Sequence, residues 1–178
     1  ENKGPLHKAI FIQKQDGDVE VEVALQYNNG YVENVQSYVN VINTVNGGTH
    51  LTGFRMALTR AINDYGKKIG SFKNGEDSIA GDDTKEGLSA VLFVKMPQDR
   101  IQFEGQTKGK LGNAEIQPIV QTIVKEGLTT FFEENPSEGR KILEKVYLAA
   151  KARLAAKAAK EAILRKGALE GSSLPGKL

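Results

Sequence analysis

The sequence predicts one domain in which a β-sheet packs against helices, and three observations support this. The chain has 178 residues, 39% of them hydrophobic, which suits one core of ordinary size. Side chains in the first part alternate between apolar and polar, as in strands with one buried face. Later apolar side chains recur at three- and four-residue steps, the period of an amphipathic helix.

Three strands are predicted at the start of the chain, covering about 8–13, 19–27 and 31–43. Asp16-Gly17 separates the first two, and Asn28-Asn29-Gly30 follows the second. Both sets of residues accept the positive φ that hairpin turns require. We therefore expect the first part of the sheet to be an antiparallel meander.

Thr49 is predicted to cap a first helix that lies on the sheet. Its apolar positions share one face and are Leu51, Phe54, Leu58, Ile62 and Tyr65. The other face looks toward solvent or a cavity, with Thr52, Arg55, Thr59 and Asn63. A long polar loop over 66–87 is then expected to lead into a buried strand at 88–96.

Two more helices are predicted in the second half of the chain. The first follows a loop at 97–112, which contains a strand fragment at 101–103, and has Pro118 in its first turn. The second begins with Asn135 as its N-cap and Pro136 as its first helical residue. If it runs to about residue 166, it extends about 45 Å, with a docked beginning and a protruding end.

The polar loop at 103–112 is the strongest candidate for binding an anion. Its glycines let the backbone approach a ligand closely, and Lys108 and Lys110 supply ammonium groups that reach phosphate oxygens. The spacing is not that of a P-loop. The loop is therefore either a phosphate contact or an ordinary solvated turn.

The sequence contains little catalytic machinery of its own. It has no cysteine, and His7 and His50 are its only histidines, so thiolate and histidine-rich metal sites are excluded and we assign no metal ligand. Asp82-Asp83 is either a cation site or, more often for such pairs, a solvated one. His50 lacks a partner group for acid–base chemistry and is interpreted as structural.

Basic charge is concentrated late in the chain. The formal net charge is +2, but residues 139–166 contain 9 Lys and Arg against 2 acidic residues. This segment either faces a polyanion or an acidic neighbour, or is a solvated Ala/Lys helix. No apolar run approaches the length that spans a bilayer, so we expect no membrane partner, and the lack of cysteine fits a reducing cytosol, so we expect a cytoplasmic protein.

Several motifs together resemble the transducer domain of the B subunit of bacterial DNA gyrase, a type IIA topoisomerase. The motifs occur in the family's order and are VEVALQYN at 21–28, GGTHLTGFR at 47–55, GDD at 81–83, EGL at 86–88, FEGQTK at 103–108 and LPGKL at 174–178. They separate gyrase from its paralogue topoisomerase IV less well, and we favour gyrase.

The resemblance implies an α+β fold of the class of domain 2 of ribosomal protein S5, with a sheet on one side, helices on the other and a long C-terminal helix. It divides the chain into a transducer core at 1–138, a basic helix at 139–166 and a linker at 167–178. The linker would lead toward a Toprim domain that this chain does not contain.

The resemblance also implies site residues and partners. Gln106 and Lys108 match the loop that reaches the γ-phosphate of ATP, so Lys108 is expected to be catalytic, and Arg55 is expected to face DNA. ATP and Mg²⁺ would be bound mainly by a preceding Bergerat-type ATPase domain, and no cofactor is expected in this chain alone. The other implied partners are the Toprim domain, the gyrase A subunit and double-stranded DNA.

On this interpretation the chain is a coupling domain of an ATP-dependent topoisomerase that is active as the full-length subunit and inactive in isolation. The alternative is a free-standing nucleic-acid-binding module of the same fold, which the basic late segment favours. Against it stands the lack of aromatic residues interleaved with the basic ones. A small kinase that uses the glycine-containing loop ranks last.

Overall fold

A computed structural model describes residues 4–72 and 78–173 of the chain, which form a mixed α+β arrangement. The strands are β1 (Ile10–Asp16), β2 (Val19–Tyr27), β3 (Asn34–Val39), β4 (Ile42–Asn43), β5 (Leu88–Lys95), β6 (Phe103–Glu104) and β7 (Lys110–Leu111). The α-helices are α1 (Thr49–Lys68), α2 (Ile116–Glu134) and α3 (Pro136–Ser173). Two 3₁₀ helices cover Gly81–Thr84 and Gln98–Arg100.

The first five strands form one sheet in the order β1-β2-β5-β3-β4. Strand β5 pairs antiparallel with β2 along eight residues and parallel with β3. The predicted meander is therefore wrong, because β5 separates β2 from β3. The physical reason is that β5 satisfies backbone groups on both of its edges, through eight paired residues with β2 and six with β3, which a direct β2–β3 hairpin would not provide. The parallel β3–β5 pair requires a crossover, which α1 supplies.

The turn residues explain how the chain leaves β2 without a hairpin. Gly17 has φ 61 and closes the predicted β1–β2 hairpin. In contrast, the Asn28 side chain accepts a hydrogen bond from the backbone N–H of Gly30 at 2.7 Å, which turns the chain away from β2. The predicted third strand is also interrupted at Asn40, which has φ 52 and separates β3 from β4.

The core lies between one sheet face and the pair α1 and α2. The inward residues of β2 and β5 are almost completely buried and pack with the predicted α1 face, of which Phe54, Leu58 and Ile62 are buried. Glycine allows the two helices to approach each other closely. A Cβ at Gly53 would lie 2.5 Å from the carbonyl oxygen of Gln117 in α2. The helices therefore cover this face as the sequence predicts.

Helices α1 and α3 begin at the positions that the sequence predicts, but the side chains expected to cap them do not act as predicted. Helix α1 begins at Thr49, but Gly48 occupies the N-cap position and no side chain caps the helix, so the prediction that Thr49 is the cap is wrong. Helix α3 begins at Pro136 as predicted. The Asn135 side chain donates backward to the carbonyl oxygen of Phe131 at 3.1 Å, because Asn135 also ends α2.

Helix α3 has a docked beginning and a protruding end, as predicted. Ile142, Val146 and Ala150 are buried against the body, whereas every residue from 154 to 172 is exposed. The exposed part extends about 28 Å at about 1.5 Å per residue. The helix continues to Ser173, the last residue that the structure describes, which is beyond the expected end near residue 166. The segment 174–178 of the predicted linker lies outside the described residues. Among the described helices, no segment has the length and apolar character needed to cross a membrane.

Candidate functional site

Gln106 and Lys108 lie at the exposed tip of the β6–β7 hairpin. Gly105 has φ 82, and Lys108 itself has φ 56, an unusual conformation for a residue with a side chain. Neither the Gln106 amide nor the Lys108 ammonium is held by a hydrogen bond or ion pair to another described residue. The tip therefore presents unpaired donors to whatever lies beyond it, which suits an anionic ligand.

The base of this hairpin is closed by contacts between its two strands. Phe103 pairs with Leu111, and the Lys110 ammonium lies 2.9 Å from a carboxylate oxygen of Glu104. Below the strands, the N–H of Gly112 donates to the carbonyl oxygen of Gln102 at 2.7 Å. The strands thus hold the ends of the tip, while Lys110 is occupied by an acid of its own hairpin.

Asn113 joins the two ends of the hairpin just below this base. Its side chain is only 1% exposed. The carbonyl oxygen of its amide accepts from the N–H of Gln102 at 2.6 Å. Its Nδ2 donates to the carbonyl oxygen of Arg100 at 2.7 Å and to a carboxylate oxygen of Glu115 at 2.8 Å. The amide therefore ties the chain before β6 to the chain that enters α2.

One side of the hairpin rests on the turn that precedes α1. The N–H of Asn46 donates to the carbonyl oxygen of Gly109 at 2.8 Å, and the N–H of Leu111 donates to that of Gly47 at 3.1 Å. Gly48 has φ 135, and a Cβ there would lie 2.4 Å from the carbonyl oxygen of Leu111. Glycine is required at this position, and the hairpin is seated directly on the start of α1.

His50 lies under that turn and is fully buried. Its Nε2 is 2.8 Å from the Thr44 hydroxyl, which donates to the carbonyl oxygen of Ser37. Burial lowers the pKa of His50 to about 4, so the ring is neutral near pH 7. Burial is the resolved cause of this shift, so no charged group acts on the ring, and its Nδ1 has no hydrogen-bond partner among the described residues.

Arg55 lies on the outer face of α1, in a groove of about 660 Å³ that reaches toward the Gly81–Thr84 3₁₀ helix. Thr59 and Asn63 also line this groove, as their shared predicted face implies. The Arg55 guanidinium is paired with Glu33, through Nη2 at 2.5 Å and Nη1 at 3.2 Å. Nothing in the sequence pattern indicates this partner, which balances the charge of Arg55 itself.

Asp82 and Asp83 behave differently from each other. Asp82 is exposed and pairs with Lys85 at 3.0 Å. Asp83 is 3% exposed and accepts from Arg153 of α3 and from the N–H of Ala80. Neither the solvated interpretation nor a cation site describes Asp83. Within the described ranges no three His, Cys, Asp or Glu side chains gather to hold a metal ion.

Three of these residues have only weak signals in the sequence, and their roles were not predicted from it. Asn113 sits in a polar stretch typical of a turn, Glu33 in a loop, and Asp83 beside another acid. Only pairing across the fold distinguishes them from solvated residues. A buried amide with three hydrogen bonds has no counterpart in periodicity or composition.

Comparison with known proteins identifies the family. A family model described as DNA gyrase B matches residues 1–162. The DNA gyrase B subunit of Clostridium acetobutylicum is 52% identical over 163 residues, which are 92% of this chain and 25% of that protein. The corresponding protein of Staphylococcus epidermidis strain RP62A is 51% identical over 179 residues, covering 100% of this chain and 28% of that protein.

Solved structures support the same family assignment. The crystal structure of the 43K ATPase domain of Thermus thermophilus gyrase B, in complex with an aminocoumarin, matches with a TM-score of 0.81 and 42% identity, over 90% of this chain and 43% of that one. The topoisomerase IV ATP-binding domain of Francisella tularensis matches with a TM-score of 0.73 and 33% identity, over 82% and 40%. The chain spans about a quarter of the length of the two curated relatives. It belongs to the DNA gyrase B family.

Proposed function

We propose that this chain is the transducer domain of a gyrase B subunit, with the fold class of domain 2 of ribosomal protein S5. In the whole subunit it would contact the γ-phosphate of ATP and couple hydrolysis to movement of the DNA gate and strand passage. Family membership and the α+β architecture support the assignment. We favour gyrase over topoisomerase IV because the family match is to DNA gyrase B.

The observation that supports this function most strongly is the unpaired Lys108 ammonium on a firmly based hairpin. Lys110, two residues away, is paired with Glu104, whereas Lys108 forms no ion pair with an acid among the described residues. A preorganised cation stabilises charge that develops on terminal phosphate oxygens during phosphoryl transfer. The Gln106 amide can donate a second hydrogen bond. These residues fit the terminal phosphate of a nucleotide held elsewhere in the subunit.

The contact between the hairpin and the start of α1 supports a role in coupling. Gly47 and Gly48 join the hairpin to the start of α1, and α1 packs on the sheet. Elsewhere on the same body, the pair Asp83–Arg153 joins α3 to the Gly81–Thr84 3₁₀ helix. A change in the position of the hairpin relative to a nucleotide would therefore act on one packed body, and α3 would convey its rotation outward.

Arg55 is proposed to face DNA from the groove on α1. Its two hydrogen bonds to Glu33 leave other guanidinium N–H groups free to approach a phosphate. The contact would be electrostatic and independent of base sequence. Because Glu33 already balances its charge, Arg55 would contribute less to affinity than an unpaired arginine.

The partners follow from the same proposal. ATP and Mg²⁺ would be held mainly by a Bergerat-type ATPase domain before this chain, and a Toprim domain would follow α3. The gyrase A subunit and double-stranded DNA complete the assembly, which would act in the cytoplasm. Alone, this chain is expected to hydrolyse no ATP.

The test is ATP turnover by the full-length subunit in which Lys108→Ala is compared with Lys110→Ala. We expect Lys108→Ala to reduce turnover by about 100-fold, the effect of losing one preorganised donor to developing charge. Lys110→Ala removes an equal charge from the same hairpin and should change turnover by less than about twofold, since that ammonium is already paired with Glu104. Equal effects of the two substitutions would remove the basis of the proposal.

A free-standing nucleic-acid-binding module is the second candidate, and one observation favours it. The protruding part of α3 exposes four basic residues, Lys157, Lys160, Arg165 and Lys166. However, two of the basic residues nearer the body are engaged in docking. Arg153 pairs with Asp83, and Lys145 donates to the carbonyl oxygen of Gly30 at 2.8 Å. Part of the basic charge thus has a structural use, which favours the transducer.

A further inference from the structure

We infer that Asn113 is a positioning residue for Lys108, an inference that rests on the proposed function of the hairpin. Lys108 can only be a preorganised cation if the ends of its hairpin are fixed. The β6–β7 ladder is two residue pairs long, too short to be stable alone in water. Something outside the ladder must therefore hold the hairpin in one orientation.

Asn113 meets this requirement through three hydrogen bonds, two to the segment that leads into β6 and one to the residue before α2. Its acceptor binds the N–H of Gln102, just before β6, and its Nδ2 binds Arg100 and Glu115. The first two bonds close the hairpin, and the third orients it against the start of α2. Since the side chain is 1% exposed, water cannot replace these bonds without opening the structure.

Asn113 acts by positioning the hairpin and not by contacting a ligand, because it lies below the hairpin and faces away from its tip. The amide is engaged with Gln102, Arg100 and Glu115, and it offers no free donor to a ligand. A rotation of the base would be magnified at Lys108, on the far side of β7. A misplacement of about 1 Å at a catalytic group can cost about 100-fold in rate.

The experiment is a double-mutant cycle in the full-length subunit, with ATP turnover as the readout. We expect Asn113→Ala to reduce kcat by at least about tenfold with a smaller change in KM, because the lost contact is made in the transition state. In a subunit that already has Lys108→Ala, the same change should cost less than about twofold, because two residues that act through one contact are not additive.

A milder variant keeps the test decisive if Asn113→Ala fails to fold. Glu115→Ala removes one of the three partners of the Asn113 amide and should lower turnover. Because Glu115 is exposed, the fold should survive this change. Glu115→Gln keeps an acceptor at that position and should restore turnover to within about twofold of the parent. Circular dichroism and thermal unfolding of each subunit would verify folding.

The outcomes separate this inference from the proposed function. If Asn113→Ala and Lys108→Ala have additive effects, or if Glu115→Ala matches the parent, Asn113 has only a structural role and the inference fails. If Lys108→Ala itself leaves turnover unchanged, the proposed function fails first.

Discussion

The Arg153 guanidinium donates to both carboxylate oxygens of Asp83, from Nε at 2.9 and 3.2 Å and from Nη2 at 3.1 Å. Asp83 is buried, whereas the Arg153 side chain is 37% exposed. The hydrogen bond to Asp83 raises the pKa of Arg153. Beyond Arg153, every α3 residue to 172 is exposed, so this pair is where the helix leaves the body.

Loss of Arg153 should destabilise the protein more than loss of an exposed cation on the same helix. Arg153→Ala leaves the Asp83 carboxylate buried and without its counter-charge. We expect the free energy of unfolding in urea to fall by about 2 kcal/mol, below the value for fully buried pairs because Arg153 is partly hydrated. Lys157→Ala, on the exposed part of α3, is the control and should have no measurable effect. A similar result for both would show that the pair does not dock the helix.

His50 should make stability depend on pH below neutrality. Its pKa is about 4 when folded, against an ordinary value of 6.5, so the unfolded chain binds more protons between these values. The contribution of neutral His50 to the free energy of unfolding is complete above pH 6.5. It is lost as the pH falls toward 4, and the total loss is about 3 kcal/mol. Urea unfolding at about pH 7.5 and about pH 5 would measure this.

The control for that prediction is His50→Gln, which has no titrating group at this position. Its unfolding free energy should fall less between the two pH values than that of the parent. His7 also has a pKa lowered by burial, so some dependence should remain. If the substitution left the pH dependence unchanged, the buried ring would not be its source.

Gly48 should tolerate no side chain. Gly48→Ala would place a Cβ 2.4 Å from the carbonyl oxygen of Leu111 in a backbone conformation of φ 135. We expect a loss of more than about 2 kcal/mol in unfolding free energy, since backbone must move. Gly17→Ala is the matched control, because Gly17 also has positive φ but a Cβ there would meet no atom within 4 Å. Gly17→Ala should lower the unfolding free energy by about 1 kcal/mol. Equal losses for the two substitutions would contradict the close contact between Gly48 and the hairpin.

DNA binding by this chain should be weak and sensitive to salt. The exposed cations of α3 can release counterions, and contacts to phosphates carry no base-sequence information. We expect dissociation constants of about 10⁻⁴ to 10⁻⁶ M without sequence preference. Replacing Lys157 and Lys160 by Gln should reduce the slope of log affinity against log salt by about 2. Tight binding at physiological salt would favour the free-standing module instead.

Local features of the fold were predictable because they depend on local periodicity. The alternation at 19–27 placed β2, and the apolar stripe from Phe54 to Ile62 placed α1 on the sheet. The strand order was not predictable, because periodicity shows which face is buried but not which strand is adjacent. An antiparallel meander and the observed insertion of β5 have the same local pattern.

The residues proposed for the tip of the candidate site were named from the sequence, whereas those that support the tip were not. The loop stood out because glycines with lysine are a recognisable pattern for anions, and the resemblance to gyrase B then singled out Gln106 and Lys108 within it. Asn113 and Glu33 were not recognisable, because their roles depend on partners 11 and 22 residues away that only the fold brings together. Polar residues in loops look alike until their burial is known.

The most direct test of the central claim is the reactivity of Lys108 toward an amine-acetylating reagent in the full-length subunit, read by mass spectrometry. With Mg²⁺ and a non-hydrolysable ATP analogue, we predict strong protection of Lys108, no protection with ADP, and unchanged labelling of Lys110. Equal labelling of Lys108 with both nucleotides would contradict the claim that this lysine contacts the terminal phosphate.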